Sequence, residues 1–368
     1  MNARAMNIVF LGLSLSSSWG NGHATTFRAL LRGLHGLGHR LTFLERDVSW
    51  YADNRDLQEP DFCDLRYYGS VADLHASHQE QLRAADVIVV GSFVPEGVAV
   101  IEAVTSLCTG TLCFYDIDTP VTLAKLSSRD REYLADYQIP LFDCYFSFTG
   151  GPTLERLRSE FGARRAEPLY CSVDASRYAP TGEQPVWDLG YLGTYSPDRQ
   201  PTLDRLLIDV AGKMPDRRFV VAGPQYPAAL AWPANVDRIA HLPPSEHASF
   251  YSRQRFTLNV TRADMISAGW SPSVRLFEAG ACGCPIISDR WHGLEDFFPI
   301  GKAIHVADTT EDICAILGET NERSRSALAR RAQDIVLRSH TGESRASDFV
   351  SCLTSLSRRD QPQGFRAA

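Results

Sequence analysis

The sequence lacks several features that would each have set its class at once. No apolar run approaches the roughly 18 residues that a membrane span needs. Positive charge is not in excess: 37 Lys and Arg stand against 44 Asp and Glu, a formal net charge of −7. Such a surface holds no general attraction for nucleic acid or anionic lipid, although one local basic pocket for a small polyanion remains compatible with it. A disulfide framework is missing too. The nine cysteines are odd in number and irregularly spaced, and Cys282-Gly283-Cys284 has no second pair at zinc-site spacing. They read as reduced, mostly buried thiols in a cytoplasmic protein without a metal site. There is no G-x-G-x-x-G loop, no short-period repeat and no low-complexity tract. With 44% hydrophobic and 22% charged residues over 368 positions, the chain is an ordinary globular protein, neither disordered throughout nor fibrous. Its length suits two domains of roughly 150–180 residues each.

What is present is an alternation of short apolar runs and amphipathic segments. Strands are expected at 7–13, 40–44, 85–90, 111–115 and 145–148, with a first helix over 25–37 carrying Phe27, Leu30, Leu31 and Leu34 at helical spacing. The stretch 8–15 after Arg4 has the look of a signal peptide, but a Gly-bearing turn and a helix follow at once, as they do after a buried first strand. The polar run 180–185, with Gly182 and two prolines, reads as a linker. A second alternating unit follows, with strands at 189–192, 218–222, 256–260 and 285–288 and helices around 202–210 and 273–281. Helical periodicity runs through 322–356, and 358–368 reads as a flexible tail. The expected architecture is α/β: two tandem Rossmann-like domains, 1–181 and 182–357, with ligands at the carboxyl ends of the strands and one cleft between the domains.

The most informative stretch runs from Ser271 to Asp289 and reads SPSVRLFEAGACGCPIISD. It is a loop, a helix with a small-residue face, a Gly stop and a buried strand. Ser271 or Ser273 can cap the helix, whose free N–H groups and dipole suit a diphosphate. Arg275 sits in the first turn and offers a charged fork. Glu278, three residues on, can accept two hydrogen bonds from a ribose diol. The plain alternatives are an exposed helix-start arginine and a solvated helix carboxylate. The stretch, together with the Gly293-Leu294-Glu295-Asp296-Phe297-Phe298 that follows, resembles the C-terminal signature of GT-B glycosyltransferases, in the group 1 branch that includes the CgeB-like proteins. Ser172-Val173-Asp174 with Tyr178 and Pro180 resembles the interdomain motif of that family. Leu192-Gly193 through Arg199 resembles its first C-terminal-domain loop, where a Gly turn precedes a basic residue that contacts the donor diphosphate.

The resemblance implies a GT-B fold and transfer of a sugar from a nucleoside-diphosphate sugar to a hydroxyl acceptor, with no metal or other cofactor. It places the donor on Gly193, Arg199, Arg262, Ser273, Arg275 and Glu278. One departure stands out. Retaining relatives carry a first glutamate eight positions before the second, and that position is Trp270 here. The stereochemical outcome, the donor base and sugar, and the acceptor all stay open.

The first domain is expected to hold the acceptor. Gly20-Asn21-Gly22-His23 lies between the first strand and first helix, where a neutral imidazole can take a proton from a hydroxyl. His23 is the expected base, with Asp118 beside it and Asn21 and Asp116 on the acceptor side. Asp116-Ile117-Asp118 after a buried strand is read as orienting His23 or binding acceptor rather than metal. Trp19, Trp50, Tyr51 and Tyr115 are candidate stacking faces, although aromatics near strand ends commonly belong to the core. The competing readings are a sugar-nucleotide epimerase of the same architecture, and a non-catalytic nucleotide-sugar or glycan-binding module of an envelope or spore-coat assembly.

Overall fold

A computed structural model describes residues 4–19 and 22–359. The chain forms two compact units. The first holds seven strands: β1 (Asn7–Gly12), β2 (Arg40–Arg46), β3 (Asp64–Tyr68), β4 (Val87–Gly91), β5 (Thr111–Asp116), β6 (Cys144–Ser147) and β7 (Ala166–Pro168). They form one sheet in the order β3-β2-β1-β4-β5-β6-β7, and the pairings of β1 with β2 and β4 are parallel. The second unit holds β8 (Trp187–Leu192), β9 (Phe219–Ala222), β10 (Val236–Ile239), β11 (Gln254–Asn259), β12 (Ile286–Ser288) and β13 (His305–Val306), in the order β10-β9-β8-β11-β12-β13. The central strands of both sheets are buried on both faces, as in β4, Val-Ile-Val-Val-Gly, because helices cover the sheet from each side.

Strand order reverses between β1 and β4 in the first unit and between β8 and β11 in the second. A doubly wound sheet opens a crevice outside the carboxyl ends of the strands at such a switch point. The first helix, His23–Gly36, leaves the carboxyl end of β1 and presses Phe27 edge-on against Phe43 and Tyr115, at 5.2 and 5.9 Å between ring centroids.

Two boundaries differ from the sequence expectation. The chain leaves the first unit at Ser172, not near 181, so the polar 180–185 stretch is a surface loop of the second unit. The helical region 322–356 is two helices, Glu322–Ser339 and Gly342–Arg359, and the latter belongs to the first unit. The reason is packing. Phe349 of that helix is fully buried, 5.0 Å from the ring of Phe146 and 6.2 Å from that of Phe10. Burying such a ring contributes about 1.5–3 kcal/mol. Gly33 and Gly342 let the backbones touch, since a Cβ on Gly342 would lie 2.1 Å from the Ala29 carbonyl oxygen. The helix therefore runs on through Arg358 and Arg359, and the rest of the expected tail lies outside the described residues. All nine cysteines are free thiols, six of them buried. Among the described residues no helix is long and apolar enough to cross a membrane.

Candidate functional site

In the second unit the signature segment folds as a helix, Val274–Ala281, that starts beside the ends of β8 and β11. Ser273 caps it, its hydroxyl accepting from the Arg275 N–H at 3.3 Å. Arg275 is only 8% exposed and bridges the switch point. Its Nε donates to the Leu192 carbonyl oxygen at the end of β8 (2.5 Å), and its Nη1 donates to Asn259 Oδ1 at the end of β11 (3.0 Å). The guanidinium also lies over the Tyr191 ring, 4.8 Å from its centroid. Gly193 leaves room for it: a Cβ there would sit 2.6 Å from Tyr191 Oη and 2.9 Å from Arg275 Nη2.

Arg199 adds a second cation. Its Nη2 donates to the Thr194 carbonyl oxygen at 2.7 Å, while its buried Nε has no hydrogen-bond partner among the described residues. Asp198 does not pair with it; that carboxylate accepts from Ser196 and from the Ala263 N–H. Burial, and then the neighbouring charges of Arg275 and Arg262, push the Arg199 guanidinium below its ordinary pKa, although Tyr191 and Asp198 oppose them. Arg262 itself is exposed, at the start of the short helix Ala263–Ala268. Three like charges and a buried unpaired donor form a place where an anion is favoured.

Glu278 is one turn along the same helix and 6% exposed. The Tyr251 hydroxyl donates to its Oε2 at 3.0 Å, and His247 Nδ1 lies 4.0 Å from the same oxygen. Tyr178 joins this group through His247 Nδ1, 3.2 Å from its hydroxyl. Burial, then the Glu278 charge, raises the Tyr178 pKa well beyond the ordinary phenol value. Glu278 is thus a held carboxylate and not a solvated one.

Trp270 fills the place of the first glutamate with a local structural role. Its φ is +42°, its N–H reaches the His292 carbonyl oxygen at 2.7 Å, and its indole N–H donates to Asp296 at 2.6 Å. Its ring covers Gly293, where a Cβ would be 2.6 Å from the indole.

Sequence reasoning missed the polar network under Arg275. Asn259 turns its amide N–H groups to Ser288 (2.9 Å) and Thr261 (3.1 Å), and Asp289 accepts from the Thr261 N–H (2.8 Å) and hydroxyl (2.7 Å). Burial raises the Asp289 pKa, against those hydrogen bonds. The only sequence signal was a run of polar residues at the ends of otherwise apolar strands.

In the first unit His23 is the first residue of its helix, and its Nε2 lies 2.6 Å from Asp118 Oδ2. Asp118 stands immediately before the helix Thr119–Ser127 that follows β5, at its N-cap position and without a side-chain capping bond. The exposure of the pair is uneven: the His23 side chain is 8% exposed and the Asp118 side chain 37%. His23 Nδ1 is buried, with no hydrogen-bond partner among the described residues. Of the pair that the sequence puts forward, with His23 as the expected base, Asp118 is the more exposed member.

Asp116 does not face an acceptor. It is fully buried, with Oδ2 accepting from Tyr145 (2.5 Å) and Oδ1 from Thr122 (2.7 Å) and, at 3.3 Å, from the Asp118 N–H. Burial raises its pKa to about 6. It braces the turn that carries Asp118. Asn21 and Gly20 lie outside the described residues. Tyr115 belongs to the core, while Trp19 and Trp50 are exposed. A buried Glu45, also unforeseen, ties down the loop after β1. It accepts from the Leu15 N–H (2.6 Å), the Ser16 N–H (2.9 Å) and the Ser16 hydroxyl (2.6 Å).

Residues 199–351 match the family model described as glycosyl transferase-like. No curated protein matches the sequence. Among solved structures, sucrose-phosphate synthase from Thermosynechococcus elongatus superposes with a TM-score of 0.72 at 12% identity, over 96% of this chain and 100% of that one. HepE from Anabaena in complex with UDP-glucose gives 0.67 at 13% identity, over 95% and 100%. An alpha-glucosyltransferase in complex with UDP-glucose and DNA gives 0.70 at 15% identity, over 95% and 100%. The chain has the GT-B fold.

Proposed function

We propose that the chain is a GT-B glycosyltransferase of the group 1 kind, CgeB-like in its signature segment, that moves a hexosyl group from a nucleoside-diphosphate sugar to a hydroxyl acceptor. The observation that carries this reading is the arginine cluster at the β8/β11 switch point, with Glu278 one turn behind Arg275. Arg199, Arg275 and Arg262, with the free N–H groups of the capped helix, match the charge of a diphosphate, and the held Glu278 carboxylate matches a ribose diol. The same cations would stabilise the leaving diphosphate as its charge develops, without a metal ion.

The acceptor hydroxyl loses its proton to the Asp118–His23 pair, entering at the exposed Asp118, while His23 holds that carboxylate in place. The acceptor oxygen forms its bond to the anomeric carbon as the bond from that carbon to the diphosphate oxygen breaks, and the leaving group takes the electron pair. One such displacement inverts the anomeric centre, which fits Trp270 at the place of the glutamate of retaining relatives. Free thiols suit a cytoplasmic setting.

The test is release of nucleoside diphosphate from a panel of nucleotide sugars, UDP-glucose first because solved neighbours carry it. Release that needs an added hydroxyl compound, persists in EDTA and yields the inverted anomer supports the proposal. Conversion of the donor to an epimer, with no diphosphate released, overturns it.

A further inference from the structure

Two tryptophans stand in solvent at the carboxyl end of the first sheet, the end that holds His23 and Asp118. Trp50, in the short helix Ser49–Ala52 after β2, is 62% exposed, and Trp19, in the loop after β1, is 48% exposed. Hydrogen bonds join the two segments that carry them. The Trp19 N–H reaches Ser17 Oγ (3.2 Å), the Ser17 hydroxyl donates to the Asn54 carbonyl oxygen (2.7 Å), and Asn54 Nδ2 donates to the Trp50 carbonyl oxygen (2.9 Å). The Ser16 carbonyl oxygen accepts from the N–H groups of Asp56 and Leu57, both at 3.0 Å. Arg28 clamps the same two loops, its Nη2 donating to the Leu15 carbonyl oxygen (2.7 Å) and to Asp56 Oδ1 (2.6 Å). The network fixes the backbone under two indoles and leaves the indoles in water.

The charges around them narrow what can cover those rings. Arg55 pairs with Asp47 at 2.7 Å, Arg28 with Asp56 at 2.6 Å and Arg46 with Glu96 at 2.8 Å. The arginines at this end of β1 and β2 are thus committed to carboxylates and not open to a phosphate or a carboxylate ligand. Ser49 and Asp53 flank Trp50 in sequence and are exposed, and Asp53 has no ion-pair partner among the described residues. The surface beside the indoles therefore offers oxygens that accept hydrogen bonds. An aromatic face attracts C–H groups through its negative quadrupole. A ring with C–H groups on its faces and O–H groups at its edge, a neutral sugar, matches both features. A lipid tail does not, because it would take Asp53 from water without a partner.

Strand order sets the distance from the reacting pair. Asp118 follows β5 and Trp50 follows β2, with β4 and β1 between them. Strands three places apart in a sheet are separated by about 14 Å. That is longer than one sugar ring, so the ring whose hydroxyl meets Asp118 is not the ring at Trp50. We propose that Trp19 and Trp50 form a platform for a neutral oligosaccharide acceptor, holding the sugar rings behind the one that reacts. The proposal rests on the reading of the first unit as the acceptor domain, and it names the acceptor class which that reading leaves open.

The experiment applies the full chain to an array of neutral, acidic and amino-group-bearing oligosaccharides. The best-bound glycan is then titrated by calorimetry beside the monosaccharide of its reacting end. Binding of neutral oligosaccharides is expected, about tenfold tighter than the monosaccharide and with a change in tryptophan fluorescence. Trp50→Ala should remove the difference between oligosaccharide and monosaccharide, and Trp50→Phe, which keeps an aromatic face, should retain part of it. The wild-type comparison of chain lengths stands even if the alanine variant does not fold. No bound glycan, binding of charged glycans only, equal affinities for the two lengths, or a folded alanine variant that keeps the difference would each overturn the proposal. Titration of UDP and other nucleoside diphosphates into the same wild-type preparation keeps the two readings apart. A bound nucleoside diphosphate with a failed glycan arm overturns the platform alone, whereas no bound nucleoside diphosphate overturns the glycosyltransferase reading.

Discussion

The Nη1 of Arg275 donates to Asn259 Oδ1 at 3.0 Å, so the cation at the head of the signature helix is oriented by the residue that ends β11. Asn259 is fully buried and has no freedom to turn, because its amide N–H groups are committed to Ser288 and Thr261. The Asn259→Leu variant should therefore bind nucleoside diphosphate about tenfold more weakly. It should also lose about 1–3 kcal/mol of stability for the donors and acceptors left unpaired. Paired calorimetric titrations and urea unfolding measure both effects. Unchanged affinity in a folded variant would return Asn259 to a purely structural role.

Glu278 and Tyr251 can be separated by the ligand used. On the proposal that the carboxylate addresses the ribose, Glu278→Gln should weaken binding of a nucleoside diphosphate by about tenfold and leave pyrophosphate binding nearly unchanged. Tyr251→Phe removes the hydrogen bond that orients Oε2, and a smaller loss of the same kind is expected. Equal losses for both ligands would place Glu278 on the phosphates.

For the Asp118–His23 pair, the expected order follows exposure. Asp118→Asn should lower turnover by about 10²–10⁴-fold with donor affinity unchanged. His23→Gln, which can still donate to Asp118, should keep more turnover than His23→Ala. If the glutamine variant is as inactive as the alanine variant, the imidazole itself takes the proton, as the sequence alone suggests.

Asp116 makes stability depend on pH. Its carboxyl is raised by burial from an ordinary 3.8 to about 6 in the folded chain. The folded state thus holds a proton that the unfolded state gives up. The contribution of Asp116 is fully present below about pH 4 and is lost as pH rises through about 6. The loss is about 3 kcal/mol at about 1.4 kcal/mol per pH unit. Asp116→Asn should therefore gain on the wild type as pH rises from 4 to 7, measured by denaturant unfolding at each pH. A difference that stays flat with pH would contradict the assignment.

The sequence reveals the central strands and misses the edges. The missed strands are β3, β7, β10 and β13, which are the outer strands of the two sheets. They carry Asp64 and Arg66, Glu167 and Pro168, Asp237 and Arg238, and His305, the charged and polar side chains and the N–H-less proline that keep a sheet edge from pairing with another chain. Their pattern therefore does not resemble a buried run. The return of Gly342–Arg359 to the first unit was hidden for a different reason. Helical periodicity shows which face is apolar but not what covers it. At the site, Arg275, Glu278, Arg199 and Gly193 were visible because a motif binds them together in sequence. Asn259, Asp289 and Tyr251 meet them only through the fold. Asp116 and Asp118 look alike in sequence, and only burial tells the brace from the exposed carboxylate.

The claim that most of this account depends on is that the β8/β11 crevice binds a nucleoside diphosphate through Arg275. A calorimetric titration of UDP into the wild type and Arg275→Ala tests it directly. One site per chain is expected in the wild type, with affinity reduced in the folded variant by about 1.5–3 kcal/mol, the worth of a charge-assisted hydrogen bond. Equal UDP affinity in the two proteins, or no binding of UDP or any other nucleoside diphosphate to the folded wild type, would contradict the account.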